Sequence, residues 1–424
     1  MWLTSIVALL ACVQSPAQGL STKQIDALVA RFLAADARTA DGFAEQMRLL
    51  AELESVPPLD ARQEKTWREK LLKSTAKHGA VIEREAGRQW LWPAADKSAD
   101  GRGLFIVGGN TTKPKGLLVG MHGGGVGSGD AGSAFDTLAS VGANHDWLVV
   151  CPEVLEKTER GWTDSGSEEF VVELVERALR TWKIDRDRVY FSGHSMGGYG
   201  SWVLGAHHAD LVAGLAPSAG APTPIFDREG VARDIDWGVV PNLRNVRLRI
   251  YQSDNDPNVP PDANRIAVKK LAEARERWGG FDYEYWEVPG RAHDLPPGGM
   301  EALVAKIADA RRTARPAKVV WQNSLVWKRQ FYWLSWDVPT RRAIVEADLD
   351  PAKNEVRVKC DQDPRGLAVL LDDELLDLDK EVVVLLGDKV VFRGKPQRTL
   401  ATLVRTALRD DAQLMFSARI PLVP

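Results

Sequence analysis

This sequence has few cysteines and few tyrosines, no long apolar run beyond the N-terminus and no large excess of either charge. Among its 424 residues are three cysteines, Cys12, Cys151 and Cys360, too few for a small scaffold held by disulfide bonds. The 55 Lys and Arg residues are offset by 58 Asp and Glu residues, so there is no basic excess with which to bind nucleic acid. Beyond the N-terminus no apolar run approaches about 18 residues, so no membrane span is predicted.

What the chain does contain is apolar mass and tryptophan. Hydrophobic residues make up 44% of the composition, and there are 15 Trp beside 6 Tyr. This is the balance of a globular protein with a large core. At about 150 residues per domain, the length predicts two or three domains.

The N-terminus has the features of an export signal. Residues 1–17 are apolar and uncharged from Trp2 to Val13, too short to span a bilayer, and small residues precede Gln18. We therefore expect a secretory signal peptide and a periplasmic or secreted protein. Because Leu9-Leu10-Ala11-Cys12 resembles a bacterial lipobox, a lipoprotein signal that ends at Cys12 is the alternative. A third interpretation is a buried N-terminal helix.

The rest of the chain divides into three parts. Residues 18–80 carry apolar side chains at helical spacing and no chemical motif, so we predict a helical extension that packs against the next domain or caps its site. Residues 81–315 alternate strands with helices, which predicts an α/β domain with a mainly parallel sheet. Strands are expected at Val81–Trp92, Leu104–Val107, Gly116–Met121, Trp147–Cys151, Val189–Ser192, Leu248–Gln252 and Tyr283–Val288. Helices are expected at Glu168–Trp182, after the strand that ends at Ser192, and at Ala263–Trp278 and Met300–Arg312.

Residues 318–424 form a β-rich C-terminal domain of short strand-like runs, predicted to be a β-sandwich with a hairpin turn at Leu386–Lys389. Four Trp lie close together near its start: Trp321, Trp327, Trp333 and Trp336. Alternating aromatics in a strand usually fill a core or an interdomain seam, which is our expectation here. Exposed aromatics can instead stack on sugars, so contact with a glycan or surface polymer is an alternative.

The strongest chemical motif is G-x-S-x-G, at Gly193-His194-Ser195-Met196-Gly197 between a predicted strand and a predicted helix. A nucleophilic serine on such a turn needs strained backbone angles. Side chains two positions before and after it would collide with the neighbouring strand and helix, and glycine relieves that crowding. The pattern predicts Ser195 as a nucleophile and the amide of Met196 as an oxyanion donor.

A second glycine-rich loop, His122-Gly123-Gly124-Gly125, ends an earlier strand. Its backbone can approach a tetrahedral intermediate, so we expect a further oxyanion amide from Gly124 or its neighbour Gly123, with His122 holding the loop. The segment 127–132 also fits G-x-G-x-x-G. A dinucleotide site is disfavoured, because the first glycine loop separates that segment from its strand.

The base and the acid are sought after later strands, whose ends meet at the same edge of the sheet. Downstream of Ser195 the only histidines are His293 and the adjacent His207-His208, which lie in the helix after the serine and should point away from it as solvated or helix-terminal residues. His293 is thus the expected base. Asp254 and Asp256 both follow the strand at Leu248–Gln252, and either could orient the base.

Taken together, the segments HGGG, GHSMGG, DPNVP and GRAH resemble the α/β-hydrolase superfamily, over about residues 81–315. The nearest branch is that of prolyl-oligopeptidase catalytic domains, polyhydroxybutyrate depolymerases and feruloyl or acetyl esterases. The resemblance implies an α/β-hydrolase fold and favours Asp256 as the acid, since D-x-x-V-P carries it in many members. Asp254 is the alternative.

The resemblance also implies the chemistry. A Ser195–His293–Asp256 triad would cleave a small-molecule or polymeric carboxylic ester through an acyl-enzyme. A serine peptidase or amidase is the second hypothesis, disfavoured because no β-propeller precedes the domain. A third is an enzyme-like protein that binds glycan through the Trp-rich domain. No cofactor and no metal is expected, since there is no H-E-x-x-H and no paired Cys.

Overall fold

The computed structural model of the protein describes residues 20–95, 100–223, 227, 229 and 231–423. The predicted signal peptide at 1–17 and the lipidation site at Cys12 lie outside them. The helical extension consists of α1 (Thr22–Ala34), α2 (Ala40–Leu53) and α3 (Ala61–His78). Asp60 caps α3 by accepting a hydrogen bond from the Gln63 amide, and the Gln63 side chain in turn accepts one from the Asp60 amide. This reciprocal pair fixes the start of the third helix.

An eight-stranded sheet forms the centre of the second part. Its strands are β1 (Gly87–Trp92), β2 (Arg102–Gly109), β3 (Gly116–Met121), β4 (Trp147–Pro152), β5 (Val189–His194), β6 (Gly214–Ser218), β7 (Arg247–Ser253) and β8 (Tyr283–Val288). They lie in the order β1-β2-β4-β3-β5-β6-β7-β8. Strand β2 is antiparallel to both its neighbours, whereas β3 to β8 are parallel to one another. The carboxyl ends of these six strands therefore meet at one edge.

Helices cover both faces of this sheet. They are α4 (Ala131–Asn144), α5 (Ser167–Trp182), α6 (Met196–His207), α7 (Asp262–Trp278) and α8 (Gly299–Val304). Successive residues of β3 point to opposite faces of the sheet. Leu117 and Val119 lie in the core that contains α5 and α7, whereas Leu118 lies in the core beneath α4 and α8. The predicted α/β class is thus confirmed, and a sheet buried on both faces explains its continuous apolar strands.

Four details of the second part differ from the prediction. Residues 81–86 are not in a strand, and the last helix ends at Val304, with a short 3₁₀ turn at Ala305–Ile307, instead of running to Arg312. Strand β6 and helix α4 were not predicted. Strand β6 reads Gly-Leu-Ala-Pro-Ser, and its lack of β-branched residues removes the usual signal.

The C-terminal domain contains two sheets. The larger joins β9 (Lys318–Gln322), β12 (Ile344–Asp350), β13 (Glu355–Cys360), β15 (Val382–Leu386) and β16 (Lys389–Gly394). The smaller joins β10 (Gln330–Phe331), β11 (Leu334–Trp336), β14 (Leu367–Leu371) and β17 (Ala418–Pro421). A short helix, α9 (Leu400–Thr406), precedes β17. The predicted hairpin turn joins β15 to β16, with Gly387 in the left-handed region at φ 59°.

The clustered tryptophans lie between these sheets and at the seam with the α/β domain. Trp321 of the larger sheet contacts Phe331 and Trp336 of the smaller one, with ring centroids 5.5 and 6.0 Å apart. Trp321, Trp333 and Trp336 are buried, and the partly exposed Trp327 stacks on His208 of the α/β domain. They fill a core and a seam, as expected, and three of them offer no face to a sugar.

The helical extension packs on the C-terminal domain. Leu49, Leu53 and Leu71 share a buried cluster with Leu400 and Leu403 of α9. The prediction named the next domain along the chain, which the extension meets through polar contacts such as Arg38 with Glu173, whereas its apolar cluster lies on the C-terminal domain. In the described part of the chain, no helix has the length and apolar character to cross a membrane.

Candidate active site

Ser195 lies on a strained turn between β5 and α6. Its φ and ψ angles are 61° and −126°, a region that a residue with a side chain rarely occupies. The Ser195 amide donates to the Ser218 carbonyl on the neighbouring strand at 2.9 Å, and the Ser195 carbonyl accepts from the amides of Gly198 and Tyr199. These bonds hold the turn in its strained shape and leave the hydroxyl at the carboxyl edge of the sheet.

The flanking glycines are required by the closeness of β3. A Cβ atom at Gly193 would lie 2.4 Å from the Met121 carbonyl oxygen, and one at Gly197 would lie 2.0 Å from the same atom. Both distances are shorter than a real Cβ can tolerate. The steric argument made from the sequence is confirmed at both positions.

The glycine loop after β3 lies against Ser195. A Cβ atom at Gly123 would be 3.2 Å from the Ser195 Cβ and 3.8 Å from its Oγ. The buried His122 ring fixes this loop, because Nε2 accepts from the Val154 amide at 3.2 Å and Nδ1 therefore carries the proton donated to the Gly123 carbonyl at 2.8 Å. Burial lowers the pKa of His122, which favours this neutral form. These contacts agree with the expectation that His122 holds the glycine loop in place.

Backbone amides without acceptors surround the serine. Within the described ranges, the amides of Met196, Gly123 and Gly124 donate to no protein atom. His122 holds the Gly123 carbonyl, and the N–H of Gly124, in the same peptide, points the opposite way. Met196 is buried, Gly123 is partly exposed and Gly124 is exposed, so these N–H groups are free of protein acceptors beside the serine and are available to a developing oxyanion.

The structure brings Asp256 and His293 together. His293 Nδ1 lies 2.7 Å from Asp256 Oδ2, and Asp256 Oδ1 accepts from the amides of Asn258 and Val259 at 2.9 Å each. Burial opposes ionisation of Asp256, but the bonds from His293 and from these amides outweigh it, and the pKa of the carboxyl is lowered. An ionised Asp256 is thus available to hold the Nδ1–H of His293.

Asp254 has a different partner. The three residues before Asp256 bind three successive amides of the loop that carries His293: Asp254 Oδ1 accepts from Gly290 at 2.9 Å, Ser253 Oγ from Arg291 at 3.0 Å and Asn255 Oδ1 from Ala292 at 2.9 Å. Four consecutive side chains, 253–256, therefore bind four consecutive residues, 290–293. Ser253 and Asn255 were not singled out in the sequence, because only the pairing of the two loops gives them a role.

Ser195 Oγ makes no hydrogen bond among the described residues, so the contact between serine and base is open in this state. Such contacts are commonly long without substrate and close in the reactive complex. His293 and Ser195 are both partly exposed. The site can therefore be reached from solvent along the carboxyl edge of the sheet.

His207 and His208 lie away from this edge, as expected, but they are buried and not solvated. His207 Nδ1 and His208 Nε2 both contact Glu168 Oε1 of α5, at 2.9 and 3.0 Å. Ser324 Oγ of the C-terminal domain contacts His207 Nε2 at 2.7 Å. The sequence offers no signal for this, because Glu168 reads as an ordinary first-turn acid of an amphipathic helix.

The segment Gly127–Gly132 packs against the glycine loop that follows β3. A Cβ atom at Gly129 would lie 2.1 Å from the Gly123 carbonyl oxygen, and Asp130 caps α4 by accepting from the Ser133 amide. Among the residues described, no group of three or more His, Cys, Asp and Glu side chains is arranged to hold a metal ion.

The second part of the chain has an α/β-hydrolase fold. Three features define it: strand β2 runs antiparallel in the strand order, Ser195 has a positive φ between β5 and α6, and serine, aspartate and histidine follow in that order along the chain. That is the fold implied by the resemblance of the four sequence segments.

Known structures similar to this chain include esterases and a peptidase. A thermostable esterase is 19% identical, with 54% of this chain and 63% of that chain covered and a TM-score of 0.41. A putative dipeptidyl aminopeptidase IV from Bacteroides ovatus is 14% identical, over 53% of this chain and 35% of that chain, with a TM-score of 0.39. An acetyl xylan esterase from Aspergillus awamori is 14% identical, over 48% and 93%, with a TM-score of 0.37. No protein-family model and no curated protein matches the sequence.

Proposed function

We propose that the protein is a serine hydrolase that cleaves carboxylic esters. The observation that carries the proposal is the 2.7 Å contact of Asp256 with His293, on loops that end beside a strained Ser195 and unpaired amides. An acid, a base and an exposed hydroxyl in this order are the parts of an acyl-transfer site.

In the proposed reaction, His293 Nε2 takes the proton of the Ser195 hydroxyl as Oγ attacks the ester carbonyl carbon. The amides of Met196 and Gly124 bind the oxyanion, and ionised Asp256 stabilises the imidazolium. His293 returns the proton to the alkoxide as the C–O bond breaks, which leaves an acyl-enzyme. Water repeats the sequence, releasing the acid and restoring Ser195.

An accessible substrate, either a small ester or an exposed ester of a polymer, is supported by the position of the other domains. Within the described residues, neither the C-terminal domain nor the extension has a hydrogen bond or ion pair with Ser195 or His293. Their contacts include Ser324 with His207 at the far end of α6, Arg38 with Glu173 on α5 and Glu346 with Arg277 on α7. A peptidase would use the same groups, and the experiment below separates the two.

A fluorophosphonate probe tests the nucleophile. It should label the wild-type protein as Ser195 Oγ displaces fluoride from phosphorus, and Ser195→Ala should not be labelled. Ser201→Ala is the matched control, because this buried serine on α6 bonds to the Gly197 carbonyl and should leave labelling unchanged. Labelling that survives Ser195→Ala removes Ser195 from the proposal.

Paired p-nitrophenyl acetate and p-nitroanilide substrates test the reaction class. We expect turnover of the ester, abolished in Ser195→Ala, and at least about 10²-fold lower kcat/KM for the anilide, a difference of roughly 2.7 kcal/mol in transition-state stabilisation. Preference for the anilide would assign a peptidase or amidase instead.

Export is part of the proposal and is supported by residues 1–17. Mass spectrometry of the mature N-terminus after expression in a bacterium should find a chain that starts near Gln18. A chain starting at a diacylglyceryl Cys12 would assign the lipoprotein alternative, and an intact Met1 would exclude both.

A further inference from the structure

His194 is the residue before the serine, and its ring bridges two elements of the site. Nδ1 lies 3.0 Å from Ser218 Oγ at the end of β6, and Nε2 lies 3.2 Å from the backbone carbonyl oxygen of His293. A carbonyl only accepts, so Nε2 carries the proton, and the neutral ring accepts at Nδ1 from the Ser218 hydroxyl. The contacts thus select one tautomer of His194.

This bond links the nucleophile to the base. Within the described ranges, it is the only direct hydrogen bond between residues 193–198 and residues 289–298. His194 and Ser195 are consecutive, so a restraint on His194 transmits directly to Ser195. Ser218 strengthens the restraint, because its hydroxyl binds His194 while its carbonyl accepts from the Ser195 amide at 2.9 Å.

The bonds from residues 253–255 hold the amides of residues 290–292 and stop short of the His293 carbonyl, so this carbonyl still needs a restraint. Ala292, the preceding residue, has φ 48°, an unfavourable angle for a residue with a Cβ atom. Asp256 holds one ring atom of His293, and a single bond to Nδ1 leaves the ring free to swing about that bond. A second fixed point at the carbonyl removes this freedom and sets where Nε2 meets Ser195 Oγ.

We propose that His194, oriented by Ser218, is a positioning residue that fixes the backbone of His293 relative to Ser195 before substrate binds. Its ring hydrogen bonds go to Ser218 and to the His293 carbonyl, and none goes to Ser195 Oγ or to His293 Nε2. This inference rests on the proposed function, since it assigns a role within that acyl-transfer site.

The environment of His194 suits a neutral ring. Burial and the neighbouring His293, whose ring centroid is 4.8 Å away, lower the pKa of His194 to about 4, while the Asp256 and Asp294 carboxylates act weakly in the opposite direction. The ring therefore keeps its tautomer and its bond to the His293 carbonyl at neutral pH.

His194→Leu, which has no donor, and His194→Gln, whose amide N–H can reach the same carbonyl, test the proposal. We expect kcat for p-nitrophenyl acetate to fall about 10²-fold in His194→Leu, as for a displaced catalytic group, with KM within about twofold. His194→Gln should recover most of kcat. A His194→Leu protein that folds and keeps wild-type kcat overturns the proposal, and so does equal loss in both variants.

If His194→Leu does not fold, Ser218→Ala decides. It keeps the His194 ring but removes the donor that selects its tautomer, so kcat should fall several-fold while Tm stays near that of the wild type. Unchanged kcat overturns the proposal. Failure of the proposed acyl-transfer site is distinguishable, because the wild-type protein would then not react with fluorophosphonate, whereas failure of this inference leaves wild-type labelling rates in His194→Leu. Preference for the p-nitroanilide in the wild type would change the substrate class and leave this labelling test valid.

Discussion

Lys328 of the C-terminal domain and Asp210, just beyond α6, form an ion pair that is closed to solvent. Lys328 Nζ lies 2.8 Å from Asp210 Oδ1, and the two side chains are 3% and 0% exposed. Arg409 Nη1 binds the other oxygen of Asp210 at 3.0 Å. Burial and the nearby Arg409 lower the pKa of Lys328 to about 8, despite the attraction of Asp210. Asp210 of the α/β domain is therefore neutralised by two cations of the C-terminal domain, Lys328 and Arg409.

Removal of Lys328 should destabilise the protein severely. Lys328→Met leaves Asp210 buried with a single cation, and breaking a buried pair in this way costs about 3–5 kcal/mol of unfolding free energy. Lys353→Met, at the exposed Lys353–Asp350 pair, is the control and should leave the urea midpoint unchanged. Equal midpoints in the two variants would contradict the seam's contribution to stability.

Asp256→Asn and Asp254→Asn should differ widely in activity. In Asp256→Asn the neutral amide cannot accept the Nδ1–H of His293 as an ion does, so kcat should fall about 10⁴-fold, the loss typical of a triad acid. Asp254→Asn keeps an oxygen for the Gly290 amide and should lose less than about tenfold by comparison. Steady-state kinetics with p-nitrophenyl acetate measure both, and the reverse order would make Asp254 the acid.

Gly129→Ala should impair catalysis more than Gly125→Ala. A Cβ at Gly129 would lie 2.1 Å from the Gly123 carbonyl oxygen, at φ +86°, and would displace the proposed oxyanion loop. Gly125 lies in the same loop and has open space around its Cβ position. We expect kcat to fall at least about 10²-fold in Gly129→Ala, as for loss of an oxyanion donor, and little in Gly125→Ala. Similar kcat values in the two variants would show that the position of this loop does not affect catalysis.

Acid should weaken the fold through the buried His208 and Glu168. Burial and Lys328 lower the pKa of His208 to about 4, so between the ordinary value of 6.5 and 4 the unfolded chain binds a proton that the folded chain does not. Stability is therefore lost as pH falls through this window. Burial opposes ionisation of Glu168, but the two histidines outweigh it and lower the pKa of this carboxyl to about 2, which extends the loss below pH 4.5.

His207 acts in the other direction. Burial disfavours its charged form, but Glu168 outweighs burial and raises the pKa of His207, which adds stability below pH 6.5 that is lost at higher pH. Urea midpoints at pH 7, 5.5 and 4 in the wild type and in His208→Gln measure the balance. We expect a smaller decline between pH 5.5 and 4 in His208→Gln, and parallel curves would contradict the role of His208.

The sequence predicts those parts of the site whose geometry is local. Gly193 and Gly197 flank Ser195 on the same turn, so their steric need can be argued without a fold. His293 could be chosen because the chain has few histidines. Asp254 and Asp256 share one loop, so residue type does not separate them, and Asp256 was favoured only by the resemblance of its segment to D-x-x-V-P. The chain path beyond the turn decides: Asp254 reaches Gly290, whereas Asp256 reaches His293.

The fold shows the same limit. Strands with continuous apolar runs, such as β3 and β4, were predicted within a residue or two of their ends. Strand β6 was not predicted, because its Gly, Ala and Pro residues have low strand propensity. It is a strand because it pairs with β5 on one side and β7 on the other. The partners of Glu168 lie 39 and 40 positions away, on another helix, beyond the reach of a local pattern.

The packing of the extension on α9 has a consequence for biogenesis. Arg68 of α3 binds the Met415 carbonyl, 347 positions along the chain, and apolar residues of α1 to α3 share one buried cluster with α9 and Met415. The ribosome makes the extension before it makes α9, so a nascent chain carries Leu49, Leu53 and Leu71 without their α9 partners until Leu400 and Leu403 have been added. Through that interval this apolar surface is open to a chaperone, and the folding of α9 onto it ends that exposure.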